Sequence, residues 1–209
     1  MLIKKRVKSI ALSVGAICLS LGFSIAINAK LVDAPAPDFS LLNSQGETVS
    51  LSDFKGQHVV LEWTNHLCPY VVKHYGSDNM QGLQRKYGEQ EVVWLSIISS
   101  APGKQGYVDA DQANELTDTR GAEPTHVLFD PTGEVGKMYS AKTTPHMYII
   151  DPSGDLRYAG GIDSIKSANP ADIPKAENFV DIGLSALLAG EEVSKKLTPP
   201  YGCSIKYAS

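Results

Sequence analysis

Two apolar runs constrain what this chain can fold into. Val59, Val60, Leu61 and Trp63, with Glu62 among them, form one β-favouring run, and Val92, Val93, Trp94, Leu95, Ile97 and Ile98, with Ser96 among them, form another. Strands that are apolar on successive residues, rather than on alternate ones, must be covered on both faces. Between them, Pro69 suits the first turn of a helix, and Met80, Leu83 and Tyr87 recur at helical spacing, with an irregularity expected near Gly76. Strand, helix and strand in that order imply a parallel unit with helices packed on the sheet.

Around this unit the punctuation is regular. Phe39 to Leu42 and Thr48 to Leu51 read as two short strands joined at Asn43 to Gly46, an N-terminal hairpin. A loop from Ala101 to Gly106 and a polar helix around Asp111 to Thr119 follow the second buried strand. His126 to Phe129, Met147 to Asp151 and Leu156 to Ala159 complete the strands, the last two joined by a turn at Pro152 to Gly154. Phe179, Ile182, Leu184, Leu187 and Leu188 place an apolar stripe on a last helix that Gly190 ends. The expected fold is α/β, a central mixed sheet flanked by helices. One domain of 209 residues is the expected size for a single core.

The first residues differ from the rest. Lys4, Lys5, Arg6 and Lys8 precede an uncharged, mostly apolar run from Ile10 to Ile27, the order of an export signal. Cleavage after Ala29 or Ala26 would remove Cys18; an uncleaved segment would instead be a membrane anchor, because the run is close to the ~18 residues a span needs. The expected organisation is residues 1–29 as signal, 30–190 as the domain and 191–209 as a tail, in a periplasmic or otherwise exported protein. With 19 Lys and Arg against 23 Asp and Glu, a nucleic-acid partner is not expected. Outside the cytoplasm thiols pair where geometry allows, so the remaining cysteines, Cys68 and Cys203, become the candidates for chemistry.

Cys68 lies where the strand ending at Trp63 gives way to the helix, facing unpaired helix amides that favour a thiolate. Lowering a cysteine pKa from about 8.5 to about 6 takes about 3.4 kcal/mol, whereas a helix terminus supplies about 0.3–1 kcal/mol, up to about 2 when partly buried. Asn65, His66 or the backbone would have to supply the rest.

At these residues the chain resembles the redoxin branch of the thioredoxin superfamily, near the alkyl hydroperoxide reductase and thiol-specific antioxidant proteins. The resemblance is carried by Pro37, Asp38 and Phe39; by Gly46, Val49, Leu51, Phe54, Lys55 and Gly56; by Cys68, Pro69, Tyr70 and Val71; and by Thr144 with Pro145. It spans residues 35–190 and implies a thioredoxin-like fold, a cis Pro145 facing the active cysteine, and a thiol oxidoreductase. Asn65-His66-Leu67-Cys68 lacks the first thiol of a Cys-x-x-Cys pair and is closer to the Thr-x-x-Cys site of peroxiredoxins, where a lone cysteine becomes a sulfenic acid. The Pro-x-x-x-Thr pattern that precedes the peroxiredoxin cysteine is absent.

The expected site is therefore Cys68 with Cys203, Asn65 and Pro145, and Thr144, His66 and Pro69 contacting substrate. Cys203, carried on a tail freed by Gly202, would swing to Cys68 and resolve its oxidised form. Peroxide or a protein disulfide would be the substrate and a thiol-disulfide partner protein the electron donor, with no cofactor. Two other readings stand beside this one. Cys68 and Cys203 could form a permanent bridge in a non-catalytic binding module, worth about 4.7 kcal/mol for a loop of about 100 residues. Alternatively, His66, His74 and His146 with a thiolate could make a copper- or zinc-binding carrier. Trp63, Tyr70, His58 and His126 read as packing residues, and Asp151 and Asp163 as turn residues.

Overall fold

The computed structural model describes residues 31–208; the segment expected to be an export signal, with Cys18 and both candidate cleavage positions, lies outside them. A seven-stranded mixed sheet forms the centre, in the order β2-β1-β5-β4-β3-β7-β8. Its strands are β1 (Ser40–Asn43), β2 (Thr48–Ser50), β3 (Val59–Trp63), β4 (Val93–Ile98), β5 (His126–Phe129), β7 (His146–Ile150) and β8 (Leu156–Gly160). β3, β4 and β5 run parallel, whereas β7 pairs antiparallel with β3, and β8 with β7. The N-terminal hairpin joins the sheet through β1, which pairs antiparallel with β5.

The two buried strands divide the core by alternation. Leu61, Trp63, Leu95 and Ile97 face one cluster, with Phe39, Tyr139 and Tyr148. Val60 and Trp94 face the other, with Cys68, Met80, Ile149 and Leu184. On this second face lie α1 (Pro69–Gly76), α2 (Asn79–Gly88) and α5 (Phe179–Leu188). The irregularity expected near Gly76 is a complete break: Asp78 takes φ 60° between α1 and α2. The crossover from β4 to β5 carries α3 (Ala110–Arg120), capped by Asp109, whose side chain accepts from the Gln112 amide at 2.9 Å. α4 (Glu134–Met138) has no counterpart among the expected elements. It is one turn long and begins after Gly133 at φ 73°, with buried Asp130 accepting from the Gly136 amide at 2.9 Å.

The tail is not a swinging arm. Its Leu197 bridges in parallel to Ala159, and the Thr198 hydroxyl accepts from the Gly161 amide at 3.1 Å. Further on, β9 (Cys203–Ser204) pairs antiparallel with β6 (Thr143–Thr144), and the Ile205 amide donates to Lys142 at 2.9 Å. Tyr201 enters one core cluster and Ile205 the other. The segment is a strap that crosses the sheet end above β3 and is pinned on both sides of Cys203. Apolar burial and backbone pairing together outweigh the freedom that Gly202 would give.

Candidate functional site

Cys68 is the N-cap of α1, in extended conformation at φ −77° and ψ 122°, with Pro69 at the first helical position. A proline there loses nothing, since that amide has no helical partner. The Cys68 sulfur is fully buried. Its thiol donates to the Thr144 carbonyl at 3.0 Å, and the Cys203 amide reaches the same sulfur at 3.4 Å. The Thr144-Pro145 peptide is cis. Register places Thr144 opposite Cys203, so the β6–β9 pair delivers both residues to the sulfur.

Burial pushes the Cys68 pKa up. The Cys203 thiol, the Thr144 hydroxyl and the amides of Val71 and Cys203 act in the opposite sense and win, so the net direction is below the ordinary cysteine value. The Cys203 thiol, in contrast, is pushed up to about 11 by its own burial and by the Cys68 sulfur beside it. The two thiols are thus driven in opposite directions, Cys68 below the ordinary cysteine value and Cys203 above it. Both sulfurs are free thiols in this structure.

Asn65 and His66 do not supply the stabilisation assigned to them from sequence. The buried Asn65 side chain accepts from the Leu67 amide at 2.9 Å and donates to the Gln105 carbonyl at 3.4 Å, so it shapes the turn before the helix. Gly106 sits flush on its amide group, where a Cβ would collide. His66 is half-buried, its carbonyl held by Arg120, and burial together with the Arg120 charge lowers its pKa. Pro69 is exposed beside the sulfur. Because Cys68 is the N-cap, the residue one turn on is Val71, which is buried and whose amide helps lower the Cys68 pKa. Cys68 therefore leads the helix-start motif rather than closing it, and Cys203 reaches its sulfur from the tail.

The histidines considered as metal ligands are not brought together. His74 sits on α1 among buried polar groups, and His146 lies on β7 with Tyr148, its ring centroid 4.6 Å from that of Tyr148. Among the described residues no three His, Cys, Asp or Glu side chains converge as a metal site. Trp63 is core, its indole N–H donating to Ser99 at 3.0 Å. Asp163 is more than a turn residue: it is buried and paired with Lys73 at 3.2 Å.

Two polar groups escaped the sequence reading. One is Glu62, fully buried on β3, which accepts from Tyr75, from the Trp94 indole at 2.9 Å and from Ser96 at 3.2 Å. Burial raises its pKa against the pull of those donors. Its signal was available: a carboxylate inside an apolar strand must find donors or stay protonated. The other is the set formed by Lys73, His74, Asp163 and Tyr201, which no local pattern joins.

Comparison with known proteins agrees with this geometry. The model of the AhpC/TSA family matches residues 32–159. A Haemophilus influenzae protein described as the peroxiredoxin bcp is 26% identical over 136 residues, covering 62% of this chain and 85% of its own. The thiol-disulfide oxidoreductase ResA of Bacillus subtilis is 27% identical over 124 residues, covering 54% of this chain and 69% of its own. In three dimensions, an uncharacterized conserved protein from Geobacillus kaustophilus superposes with a TM-score of 0.75 at 30% identity, covering 85% of this chain and 92% of that one. The matched segment takes in the entry hairpin, the Cys68 helix start and the cis-proline loop, and the chain belongs to the AhpC/TSA family of thioredoxin-like redoxins.

Proposed function

We propose that this protein is a thiol oxidoreductase whose working unit is the Cys68–Cys203 pair. The observation that carries the reading is the docking of Cys203 on the Cys68 sulfur under Thr144. The Cys68 thiolate attacks a small oxidant. With a hydroperoxide, its sulfur takes the terminal oxygen as a sulfenic acid and the alcohol or water leaves. Loss of the thiolate charge removes the Coulombic burden on Cys203, whose sulfur then attacks Cys68, forming the disulfide and expelling water. A thiol partner protein returns two electrons and two protons. A fully covered sulfur is more easily reached by a small oxidant than by a folded protein. A second reading, exchange with protein disulfides, is supported by Leu67 and Val72, both about half exposed on the turns beside Cys68.

Treatment of the purified protein with one equivalent of hydrogen peroxide is expected to yield an intramolecular Cys68–Cys203 disulfide by peptide mass spectrometry, absent from Cys68→Ser. Multiple turnovers of peroxide with a thiol donor select the first reading, and turnover of a protein disulfide alone selects the second. Thiols that stay unlinked after peroxide count against the pair, and a link that strong thiol reductants cannot open returns it to a permanent bridge. Export is proposed on the residue order of 1–29, with membrane attachment only where that segment stays uncleaved. N-terminal sequencing of protein recovered from its host, expected to start after Ala29 or Ala26, checks it.

A further inference from the structure

Lys73 and His74 are buried on α1, the helix that Cys68 caps, and both face Asp163. Lys73 Nζ lies 3.2 Å from Asp163 Oδ2, and the Tyr201 hydroxyl donates to Asp163 Oδ1 at 2.5 Å. His74 Nε2 is 3.4 Å from the same hydroxyl, and the Tyr70 ring meets the Tyr201 ring edge-on at 5.7 Å. As a source of stability this arrangement is weak, because desolvating an ion pair cancels most of its attraction. Its value is directional: a phenol donating to a buried, fixed carboxylate holds the strap in one place.

We infer that Tyr201 is a positioning residue, which docks Cys203 on Cys68 through the buried Asp163–Lys73 pair; the inference rests on the dithiol reading above. Cys203 follows the anchor by two positions, with only Gly202 between, and an extended chain spans at most about 3.3–3.6 Å per residue. Fixing the Tyr201 backbone thus confines Cys203 to about 7 Å around it. The β6–β9 ladder alone could not do this, since a two-residue, two-stranded pairing is marginal in water. The anchor is also tied to the helix that carries the attacking sulfur, so α1 and the strap keep register with each other.

The test uses the full-length protein and oxidised glutathione. The Cys68 thiolate attacks the glutathione disulfide, giving a mixed disulfide and one released glutathione thiolate. Cys203 then attacks the Cys68 sulfur and releases the second. Tyr201→Phe keeps the ring and deletes only the hydroxyl. It is expected to slow the closure step about tenfold and to lower the effective concentration of Cys203, read from the glutathione equilibrium, by about tenfold. Leu184→Ala, a core change on α5, is expected to reduce stability at least as much yet to close at the wild-type rate. Equal closure in Tyr201→Phe and wild type, or equal slowing in Leu184→Ala, overturns the inference alone. A wild-type protein that forms no Cys68–Cys203 disulfide overturns the dithiol reading and takes the inference with it.

Discussion

Gly202→Val is expected to slow formation of the Cys68–Cys203 disulfide by about a hundredfold or more while leaving the central sheet folded. Gly202 has φ 139°, a backbone conformation that side chains with a Cβ rarely adopt, at a cost of about 1–3 kcal/mol. A Cβ there would also collide with the Thr144 carbonyl, which is backbone and already accepts the Cys68 thiol. Neither wall can yield without moving the cis-proline loop, so the strap must lift. A penalty of about 3 kcal/mol on the docked state corresponds to about 150-fold in its population.

Lifting the strap has a second consequence, on the attacking sulfur. Cys68 would lose the Cys203 thiol and amide, two of the groups that lower its pKa, and gain access to solvent. Alkylation by iodoacetamide, at a pH where the thiol is ionised, is expected to be faster at Cys68 in Gly202→Val than in wild type, because the sulfur is no longer covered. Gly46→Ala is the control: it too has positive φ, at 82°, but nothing lies within 4 Å of its Cβ position. Unchanged closure kinetics in Gly202→Val would show that the docked strap is not the state that reacts.

Much of the fold was legible because it is written in local patterns. Successive apolar residues at Val59–Trp63 and Val93–Ile98 announce strands covered twice, and each became a central parallel strand. The turn at Pro152 to Gly154 joins β7 to β8 as its residues require. Cys68 before Pro69 reads as a helix cap and is one. What stayed hidden depends on pairings remote in sequence. Tyr201 and Asp163 are 38 residues apart, and nothing near either reveals the other. Lys73 sits mid-helix, where a lysine ordinarily faces solvent; its burial follows only once Asp163 is known to lie opposite. The strap stays hidden for a related reason: in sequence Gly202 reads as a freed backbone, whereas its φ and the Thr144 carbonyl that a Cβ would meet show a position where only glycine lets two backbones touch.

Unfolding stability is expected to fall steeply below neutral pH, and two histidines set the window. His146 is fully buried on β7, and burial with the nearby Lys142 charge lowers its pKa to about 3. His74 is lowered to about 4, burial and Lys73 outweighing the opposing pull of Asp163. In the unfolded chain both would titrate near 6.5. A base whose folded pKa is depressed stabilises the fold above its unfolded value and loses that stability as the pH falls, because the unfolded state then binds the extra proton. Between pH 7.5 and pH 4.5 each histidine contributes a loss of roughly 2–3 kcal/mol, together about 5 kcal/mol, a large share of the ~5–15 kcal/mol of an ordinary domain. Glu62 opposes this. Its folded pKa is raised, so acid returns stability that its burial costs at higher pH. Urea denaturation at the two pH values is therefore expected to show a smaller net loss in wild type than in Glu62→Gln. His146→Asn keeps an acceptor where Nδ1 now receives the Lys142 amide and is expected to remove about half of the histidine contribution. A wild-type stability flat across this range, with His146→Asn no flatter, would mean that the two rings take up their protons without leaving the folded state.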